Sequence, residues 1–465
     1  MTRVGIVLFF LGALCSSLKG DLTEQNRPNV LFIVVDDLND WVGCLDGHPN
    51  AKTPHIDRLA SEGVLFSNAH CQSPICNPSR TSFLFGTRPS SNGFYGNSPT
   101  PAESPSFREE FVSLPRHFRR NGYKTFTTGK LYHASQLPED DFEVVGPRPG
   151  QWIELDKEVQ VDRPDHMHWL WDFGPQSYDE TKFSDYVDAS WIIEQLEEDH
   201  DRPFFMSIGF YRPHVPFFSP ERIYNQPEFS GELQLPPVKA DDRDDISAYA
   251  QKLIYSPHPA SHGWMEAKNN LKWQEALRAY LACVHWTDEQ LGRVLNALQN
   301  SAHADNTLIV FFADHGFHLG EKRHWAKWTL WERSTRVPLI IRDPKGLCGV
   351  VSDRPVELLG IYPTLVEMCG LEENPKLEGQ SLVPLLEDPE ADWPHPAITT
   401  LYEGNHSVRT ARWRYIHYAN GDEELYDHWV DPHEWTNLAS HPDYEGQLES
   451  LSALLPKTNR PQVAK

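Results

Sequence analysis

The chain has 465 residues, 39% of them apolar, and a formal net charge of −24. This length and apolar content suffice for one large domain with a buried core plus a smaller one, and they exclude a disordered composition. The negative charge argues against nucleic acid as a partner. Any site for an anionic substrate must therefore be a local pocket of basic residues.

The N-terminus has the features of a secretory signal peptide. Arg3 is followed by an apolar run, 4–14, and small residues extend to Gly20. The run is too short to span a bilayer, and no other segment of the sequence is long and apolar enough to do so. We predict that residues 1–20 are removed and that the protein is exported to the periplasm or secreted, without a membrane span. Cys15 leaves a lipid-anchored form open, although the leucine before it is unusual for that modification.

Strand-like and helix-like segments alternate along the first two thirds of the chain. The strands are continuous apolar, β-branched runs, such as 29–35, which suit strands buried on both faces. The predicted strands are 29–35, 124–128, 204–210 and 307–313, and the predicted helices are 53–63, 113–121, 186–198 and 272–298. This alternation predicts an α/β fold with a mostly parallel central sheet flanked by helices. The Pro- and Asp-rich stretch 219–273 is predicted to be a long loop insertion with some helix.

The sequence pattern changes near residue 394. Short aromatic and charged runs, including 413–416 and 424–426, alternate with turn residues and precede a helical segment at 444–455. This pattern predicts a small antiparallel sheet and a terminal helix. We therefore expect a catalytic domain at 26–390 and a smaller C-terminal subdomain at 394–465.

Polar residues follow all four predicted strands of the central sheet. In chain order they are Asp36-Asp37, Lys130, His214 and Asp314-His315. In parallel α/β sheets, ligands bind at the carboxyl ends of the strands. We therefore expect these side chains to meet in a single polar site.

The sequence Cys76-Asn77-Pro78-Ser79-Arg80 combines a possible nucleophile with a nearby cation. Proline is favoured in the first turn of a helix, so Cys76 is expected at a helix N-terminus. The free backbone N–H groups at such an end favour an anion. The alternative is an ordinary buried cysteine that precedes a helix.

This motif, followed by Leu84-Phe85-Gly86, resembles the signature of type I sulfatases, the formylglycine-dependent enzymes that are similar to alkaline phosphatase. The family usually has threonine where Phe85 stands, a difference that we expect to alter packing and not chemistry. The resemblance extends to Asp36-Asp37, Gly129-Lys130, His214, Asp314-His315-Gly316, Trp325-Ala326-Lys327 and Glu424-Leu425-Tyr426-Asp427. Within the family, the segments 129–133 and 212–216 are most similar to the iduronate-2-sulfatase branch.

The resemblance implies a nucleophile and a metal. Cys76 would be converted to formylglycine by a formylglycine-generating enzyme, and one Ca²⁺ would be bound by Asp36, Asp37, Asp314, His315 and residue 76. The residues agree with this, because carboxylate oxygens suit calcium better than zinc. Adjacent Asp36 and Asp37 would repel each other without a nearby cation. The alternative for this pair is a solvated acidic loop.

Ester hydrolysis needs a nucleophile, a proton donor for the leaving oxygen, and positive charge around the transferred group. We expect Arg80 to hold the hydrated formylglycine, and Lys130 and Lys327 to bind the sulfate. His214 is the candidate acid for the leaving alcohol, and His133 is the candidate base that helps to expel sulfate. The two histidines could exchange these roles.

The resemblance implies hydrolysis of a sulfate ester on a carbohydrate, such as a 2-O-sulfated uronic acid like iduronate, or an algal polysaccharide. A uronate carboxylate would need a further basic group, for which Arg88, Arg323 and His324 are candidates. One alternative is a phosphonate or phosphate ester hydrolase of the same superfamily. Another is an inactive carbohydrate-binding protein, which the 15 tryptophans would suit.

Overall fold

The computed structural model describes residues 27–133, 136–150, 172–256, 258, 263–265 and 270–464. The predicted signal peptide, 1–20, lies outside the described residues. The strands of the described residues are β1 Asn29–Val35, β2 Val64–Phe66, β3 Ala69–His70, β4 Lys124–Gly129, β5 Val144–Val145, β6 Phe173–Gln176, β7 Phe204–Phe210, β8 Phe217–Pro220, β9 Thr307–Ala313, β10 Arg336–Val337, β11 Leu339–Arg342, β12 Val350–Ser352, β13 Val356–Glu357, β14 Ala397–Thr400, β15 His406–Arg409, β16 Trp413–His417 and β17 Glu423–Asp427.

Eight strands form the central sheet, in the order β12-β2-β11-β9-β1-β7-β4-β5. The four strands predicted from the sequence, β9, β1, β7 and β4, are consecutive neighbours and are all parallel. β11 runs antiparallel to both of its neighbours. The predicted α/β fold with a mostly parallel sheet is therefore confirmed.

The central strand β1 is buried on both faces, as its continuous apolar sequence predicts. Phe32 shows how the layers meet. Its ring centroid lies 5.5 Å from that of Phe205 on β7, 5.2 Å from Phe312 on β9, and 6.3 Å from Phe83 on a neighbouring helix. Aromatic packing of this kind fixes the position of the helix that begins at Cys76 against the sheet.

The helices flank the sheet in two groups. The long helix Asn270–Gln299 packs against Ser184–Leu196 and Pro54–Ser61, and Cys76–Phe85 packs against Leu114–Arg120 and Ile361–Met368. The other α-helices of the described residues are Pro89–Asn92, Pro105–Glu110, Glu221–Tyr224, Ala248–Ile254, Glu332–Thr335, Val383–Glu387 and Glu445–Ser452. The ends of the four predicted helices lie within two residues of the observed ends. None of the helices in the described part of the chain combines the length and the apolar content that a bilayer span requires.

The C-terminal region forms a separate four-stranded antiparallel sheet, β14-β15-β16-β17, as predicted. Val408, Tyr415 and Leu425 on this sheet bury a small core against Leu451 of the helix Glu445–Ser452. The sheet is attached to the main body by a second apolar cluster, in which Ile416 and Tyr426 pack with Leu330 and Trp331, and by ion pairs such as that between Arg414 and Glu332. The exact domain limits, 26–390 and 394–465, stay predictions.

Candidate active site

The four parallel strands end at the same level of the sheet. Val35 at the end of β1 is in register with Ala313 on β9 and Phe210 on β7, and Gly129 on β4 pairs with Gly209. A Cβ on Gly129, which has φ +66°, would lie 2.2 Å from the carbonyl oxygen of Gly209. Glycine is therefore required where the chain turns from β4 towards Lys130.

Cys76 is the first residue of the helix Cys76–Phe85 and is 1% exposed. Its position confirms the prediction of a cysteine at a helix N-terminus. The thiol is surrounded by basic and acidic side chains. The Sγ atom lies 3.1 Å from Lys327 Nζ, 3.3 Å from His315 Nε2, 3.6 Å from Asp36 Oδ1 and 4.0 Å from Lys130 Nζ, and it is hydrogen-bonded to His133.

These neighbours favour a negative charge at residue 76. Burial by itself would raise the pKa of Cys76, but Lys130, Lys327 and His315 together hold that pKa well below its usual value. The position therefore suits any anionic atom. The Sγ atom marks where an oxygen of an oxidised side chain at this residue would lie.

Three carboxylates and three permanent cations are buried together here. Lys130 Nζ donates a hydrogen bond to Asp36 Oδ2, and Lys327 Nζ donates one to Asp37 Oδ1 at 2.6 Å. Arg80 Nε donates to Asp314 Oδ2 at 2.8 Å, and its Nη2 lies 3.5 Å from Asp36. The three negative charges are thus balanced by three positive ones, and each charge is hydrogen-bonded, as buried charges must be.

Burial and ion pairing shift the pKa values of Asp314 and His315, the two residues that follow β9. Burial raises the pKa of Asp314 to about 7, although Arg80 opposes the shift. Burial lowers the pKa of His315, but Asp314 outweighs it and raises that pKa to about 9. A second positive charge next to Asp314 would reverse the first shift, because a nearby cation favours the ionised carboxylate.

The donors around residue 76 fit a divalent cation. Donor atoms of Asp36, Cys76, Asp314 and His315 lie within 4.8 Å of one another, and so do those of Asp36, Asp37, Cys76 and His214. Asp37 Oδ2 is buried and has no hydrogen-bond partner among the described residues. Asp37 also adopts a left-handed conformation, with φ 62°. Such a conformation is costly for a non-glycine residue. Three buried carboxylates with an unsatisfied oxygen match the oxygen ligands that hard cations prefer.

His214 approaches the acidic pair from the loop after β7. Its Nδ1 atom lies 2.6 Å from the carbonyl oxygen of Val215, so Nδ1 carries a proton and donates it. Its Nε2 atom faces the site, 3.8 Å from Asp37 and 4.0 Å from Asp36. This hydrogen bond leaves Nε2 as the ring nitrogen that exchanges a proton in the site.

All ten side chains predicted for the site lie in this one cluster. By contrast, the three side chains proposed to bind a sugar carboxylate, Arg88, Arg323 and His324, lie outside this cluster. Arg88 donates two hydrogen bonds to Glu357, from Nη1 to Oε1 and from Nη2 to Oε2, the second at 2.7 Å. His324 is fully buried and its Nε2 lies 2.7 Å from the carbonyl oxygen of Lys327, so it supports the loop that carries Lys327. The Arg323 side chain is exposed.

Several supporting residues were not predicted from the sequence. Asp185, on the helix Ser184–Leu196, accepts hydrogen bonds from the backbone N–H groups of Tyr211 and Arg212. Arg212 in turn donates to the carbonyl oxygens of His214 and Phe218, both at 3.0 Å. These bonds fix the loop that carries His214. Tyr211 and Arg212 directly follow a predicted strand, which is a signal that could have identified them, whereas Asp185 has no comparable signal.

Comparisons with known proteins agree with this geometry. Residues 28–371 match the profile of the family described as Sulfatase. The chain is also 38% identical, over 450 residues, to a sulfatase of Formosa agariphila, with 94% of this chain and 88% of that protein covered. The chain belongs to the sulfatase family. This membership makes it a sulfuric ester hydrolase, and it confirms the resemblance to sulfatases that the sequence motifs carry.

This sulfatase is also similar to a second family profile, to a human enzyme and to a solved structure. Residues 320–460 match the profile described as N-sulphoglucosamine sulphohydrolase, C-terminal. Human iduronate 2-sulfatase is 31% identical, with 80% of this chain and 76% of that protein covered. The crystal structure of a phosphonate monoester hydrolase of Agrobacterium radiobacter superposes with a TM-score of 0.73 at 26% identity, with 92% of this chain and 95% of that chain covered. The phosphonate hydrolases are thus more distant relatives.

Proposed function

We propose that this sulfatase is an exported, calcium-dependent enzyme that removes a sulfate group from a carbohydrate, with a formylglycine made from Cys76 as its nucleophile. The observation that carries the proposal is the environment of Cys76. A buried thiol lies at a helix N-terminus within 4.0 Å of two lysines, with three carboxylates in the same cluster. An unmodified thiol lacks the second hydroxyl group that a releasable sulfate requires.

Calcium is the ion that the donors favour. Asp36, Asp37, Asp314 and His315 would hold it beside residue 76, and it would supply positive charge next to the reacting oxygens. The three carboxylates are already balanced by Arg80, Lys130 and Lys327. A divalent ion would therefore leave an excess of two positive charges. That excess matches one negative charge on a sulfate monoester and one on an ionised oxygen at residue 76.

The reaction breaks one sulfur–oxygen bond, consumes one water and releases an alcohol and sulfate. One oxygen of a hydrated formylglycine would attack sulfur as the bond to the leaving alcohol breaks. Ionisation of the second hydroxyl would then break the C–O bond to sulfate and restore the aldehyde, which the water hydrates again. Lys130 and Lys327, whose Nζ atoms lie 4.0 and 3.1 Å from Cys76 Sγ, would bind the sulfuryl oxygens. Positive charge fixed in advance at the sulfuryl group lowers the barrier without reorganisation during the step.

Two histidines would move the protons. His214 would donate the proton on Nε2 to the departing sugar oxygen, since its Nδ1 is held by the Val215 carbonyl. His133, which is hydrogen-bonded to the residue-76 side chain, would remove a proton there when sulfate is expelled. Burial lowers the pKa of His133, which keeps the ring neutral and able to act as a base.

Family resemblance and one basic residue support a substrate class. We propose a 2-O-sulfated uronic acid, as in iduronate, or a sulfated algal polysaccharide. Arg148 is the candidate for the sugar carboxylate in place of the side chains excluded above. Its Nε lies 3.4 Å from the carbonyl oxygen of Gly129, the residue before Lys130. It also interacts with Tyr211, whose ring centroid is 5.9 Å from Lys130 Nζ.

A panel of sulfated saccharides tests this function. Defined oligosaccharides from glycosaminoglycans, ulvan and carrageenan are incubated with the enzyme, and free sulfate is measured, with Cys76→Ala as the control. Release from at least one saccharide is expected. Turnover of small aryl sulfates alone, with every saccharide inert, would refute the carbohydrate role. A faster rate on aryl phosphates or phosphonates than on aryl sulfates would favour the phosphonate or phosphate hydrolase instead, and binding without turnover would favour an inactive carbohydrate-binding protein.

Export and maturation are separate parts of the proposal. The predicted signal peptide would direct the chain to the periplasm or the medium, and a formylglycine-generating enzyme would act on the segment around Cys76. N-terminal sequencing of the protein purified from its native cells is expected to start close after Gly20. A mature chain that begins at Met1 would contradict the export prediction.

A further inference from the structure

A cavity of about 610 Å³ lies where the C-terminal sheet meets the main body of the protein. Its volume is within the roughly 300–1,000 Å³ typical of small-ligand sites. Within the described part of the chain, none of the ten residues proposed for the active site lines it. The cavity is therefore a different place on the molecule, and the proposed sulfatase mechanism does not use it.

The rim of this cavity carries an exposed and rigid aromatic ring. Trp429 lines the cavity and is 70% exposed. The guanidinium of Arg412 lies over its ring, 4.7 Å from the centroid, and also over Trp413 at 4.6 Å. Two hydrogen bonds to Asp427, at 2.9 and 2.6 Å, hold Arg412 in place. The Arg412 guanidinium therefore supports the ring of Trp429, which stays open to a ligand.

Two further aromatic rings lie on the same rim. The rings of His433 and Trp435 both line the cavity and are packed together, with centroids 4.6 Å apart and an interplanar angle of 32°. Rigid aromatic rings offer a large contact area at little cost in conformational entropy. The apolar C–H face of a sugar ring is a natural partner for such surfaces.

The floor of the cavity is polar and not apolar. It contains ion pairs between Lys322 and Asp242 at 2.8 Å and between Arg409 and Glu332 at 3.1 Å. Paired charged groups of this kind offer both donors and acceptors to the hydroxyl groups of a sugar. They would disfavour the apolar side chains of a protein partner, whose burial there would leave the charges without water.

We propose that this cavity is a second carbohydrate-binding site, which holds a part of the polysaccharide other than the sulfated residue in the active site. The inference rests on the proposed carbohydrate function. The overall charge of the chain, −24, would repel a polyanion at long range. Short-range stacking on Trp429 and hydrogen bonding to the floor would offset that repulsion. A second contact also raises the effective concentration of a long substrate at the active site.

Binding and turnover are measured separately. Cys76→Ala protein is run through native gels that contain heparan sulfate, ulvan or carrageenan, with and without the additional change Trp429→Ala. Retardation by at least one polymer is expected, and Trp429→Ala should abolish most of it. In active enzyme, the same change should raise KM for fragments of six or more sugar units by about fivefold to tenfold, the equivalent of one aromatic contact. Turnover of a small aryl sulfate should not change.

Val430 provides the matched control, because it is the next residue, is 78% exposed and does not line the cavity. Val430→Ala should leave retardation and KM as they are, and Trp429→Phe should restore part of the binding. Equal effects of Trp429→Ala and Val430→Ala would overturn the proposal. So would a Trp429-dependent change in sedimentation of the protein alone, which would indicate self-association. If the enzyme releases sulfate from saccharides but shows no Trp429-dependent retardation, this second site is refuted and the proposed function stands. If retardation depends on Trp429 but no saccharide releases sulfate, the second site stands and the proposed function is refuted.

Discussion

The substitution His214→Asn tests whether His214 is the general acid and His133 the general base of the proposed mechanism. The amide nitrogen of asparagine occupies a place close to Nδ1 of histidine, so the variant retains a donor for the Val215 carbonyl, which lies 2.6 Å from Nδ1 in the wild type. It lacks any group at the place of Nε2. The variant therefore removes the proposed proton donor, with little change to the loop that Arg212 and Asp185 hold.

The size of the effect depends on the leaving group. A sugar alcohol leaves poorly without a proton, so loss of a positioned general acid should lower kcat by about 10²–10⁴-fold on a sulfated saccharide. A nitrophenolate is stable as an anion, so its departure needs little protonation. The same variant should lose less than about tenfold on nitrophenyl sulfate, because only the general acid contribution is removed.

Steady-state rates on the two substrates, together with His133→Asn as the matched variant, provide the assay. His133 is assigned to the release of sulfate from residue 76, a step that is the same for both substrates. His133→Asn should therefore lower both rates by a similar factor and produce a burst of alcohol before the slow phase. Equal losses on the two substrates for His214→Asn, together with a leaving-group dependence for His133→Asn, would show that the roles are reversed. No loss in either variant would refute the assignment of both histidines.

Three further predictions concern the metal, the substrate and the domain contact. Asp314→Ala should lower bound calcium from about one ion per chain towards zero, as elemental analysis would show, and unchanged metal content would contradict the ligand assignment. Arg148→Ala should raise KM for a sulfated uronic acid by about tenfold, as for a lost charged hydrogen bond, without the same effect on an aryl sulfate; equal effects on both would refute a carboxylate contact. Glu332→Gln should cost roughly 3 kcal/mol in urea unfolding, as expected when one partner of a buried ion pair is removed, and a loss below about 1 kcal/mol, the range of surface pairs, would contradict this. Burial would raise the pKa of Glu332, but Arg409, His428 and Arg414 outweigh it and hold that pKa well below 4.5 in the folded protein. The stability that Glu332 contributes is therefore complete above pH 4.5 and is lost as the pH falls towards the pKa of Glu332 in the folded protein.

The central sheet and the strand-end cluster could be predicted because their signals are local. β1, β7 and β9 are continuous apolar runs, and the observed strands begin and end where the runs do. The residues that follow each run, directly for Asp36 and Asp314 and four positions on for His214, are then brought to the carboxyl edge by the topology of a parallel sheet. Asp36, His214 and Asp314 therefore meet for a reason that a single sequence contains.

The other features depend on contacts between distant parts of the chain. Arg88 lies close to the Cys76 motif in the sequence, but Glu357, which is 269 residues away, forms its ion pair. No local pattern predicts such a partner. The buried Arg414 likewise bridges β16 to Glu332 on the main body, so the attachment of the C-terminal sheet could not be predicted from its strands. The rigid placement of Trp429 depends on Arg412 and is invisible in the sequence for the same reason.

Phe85 stands where the family usually has threonine, and its packing explains how the larger side chain is accommodated. Phe85 is 2% exposed, and its ring lies 4.8 Å from that of Phe107, which also contacts Phe94 and Phe111. The side chain thus belongs to an aromatic cluster at the far end of the helix that begins at Cys76. This agrees with the expectation that the substitution alters packing.

The most direct test of the central claim is the chemical state of residue 76. Active enzyme is digested, and the peptide that contains Cys76 is analysed by mass spectrometry, with and without an aldehyde-reactive hydrazide. If formylglycine is the nucleophile, the digest contains a formylglycine peptide that gains the hydrazide, in an amount that rises in proportion to specific activity across preparations. Full activity in protein whose residue 76 is an intact thiol would contradict a formylglycine nucleophile.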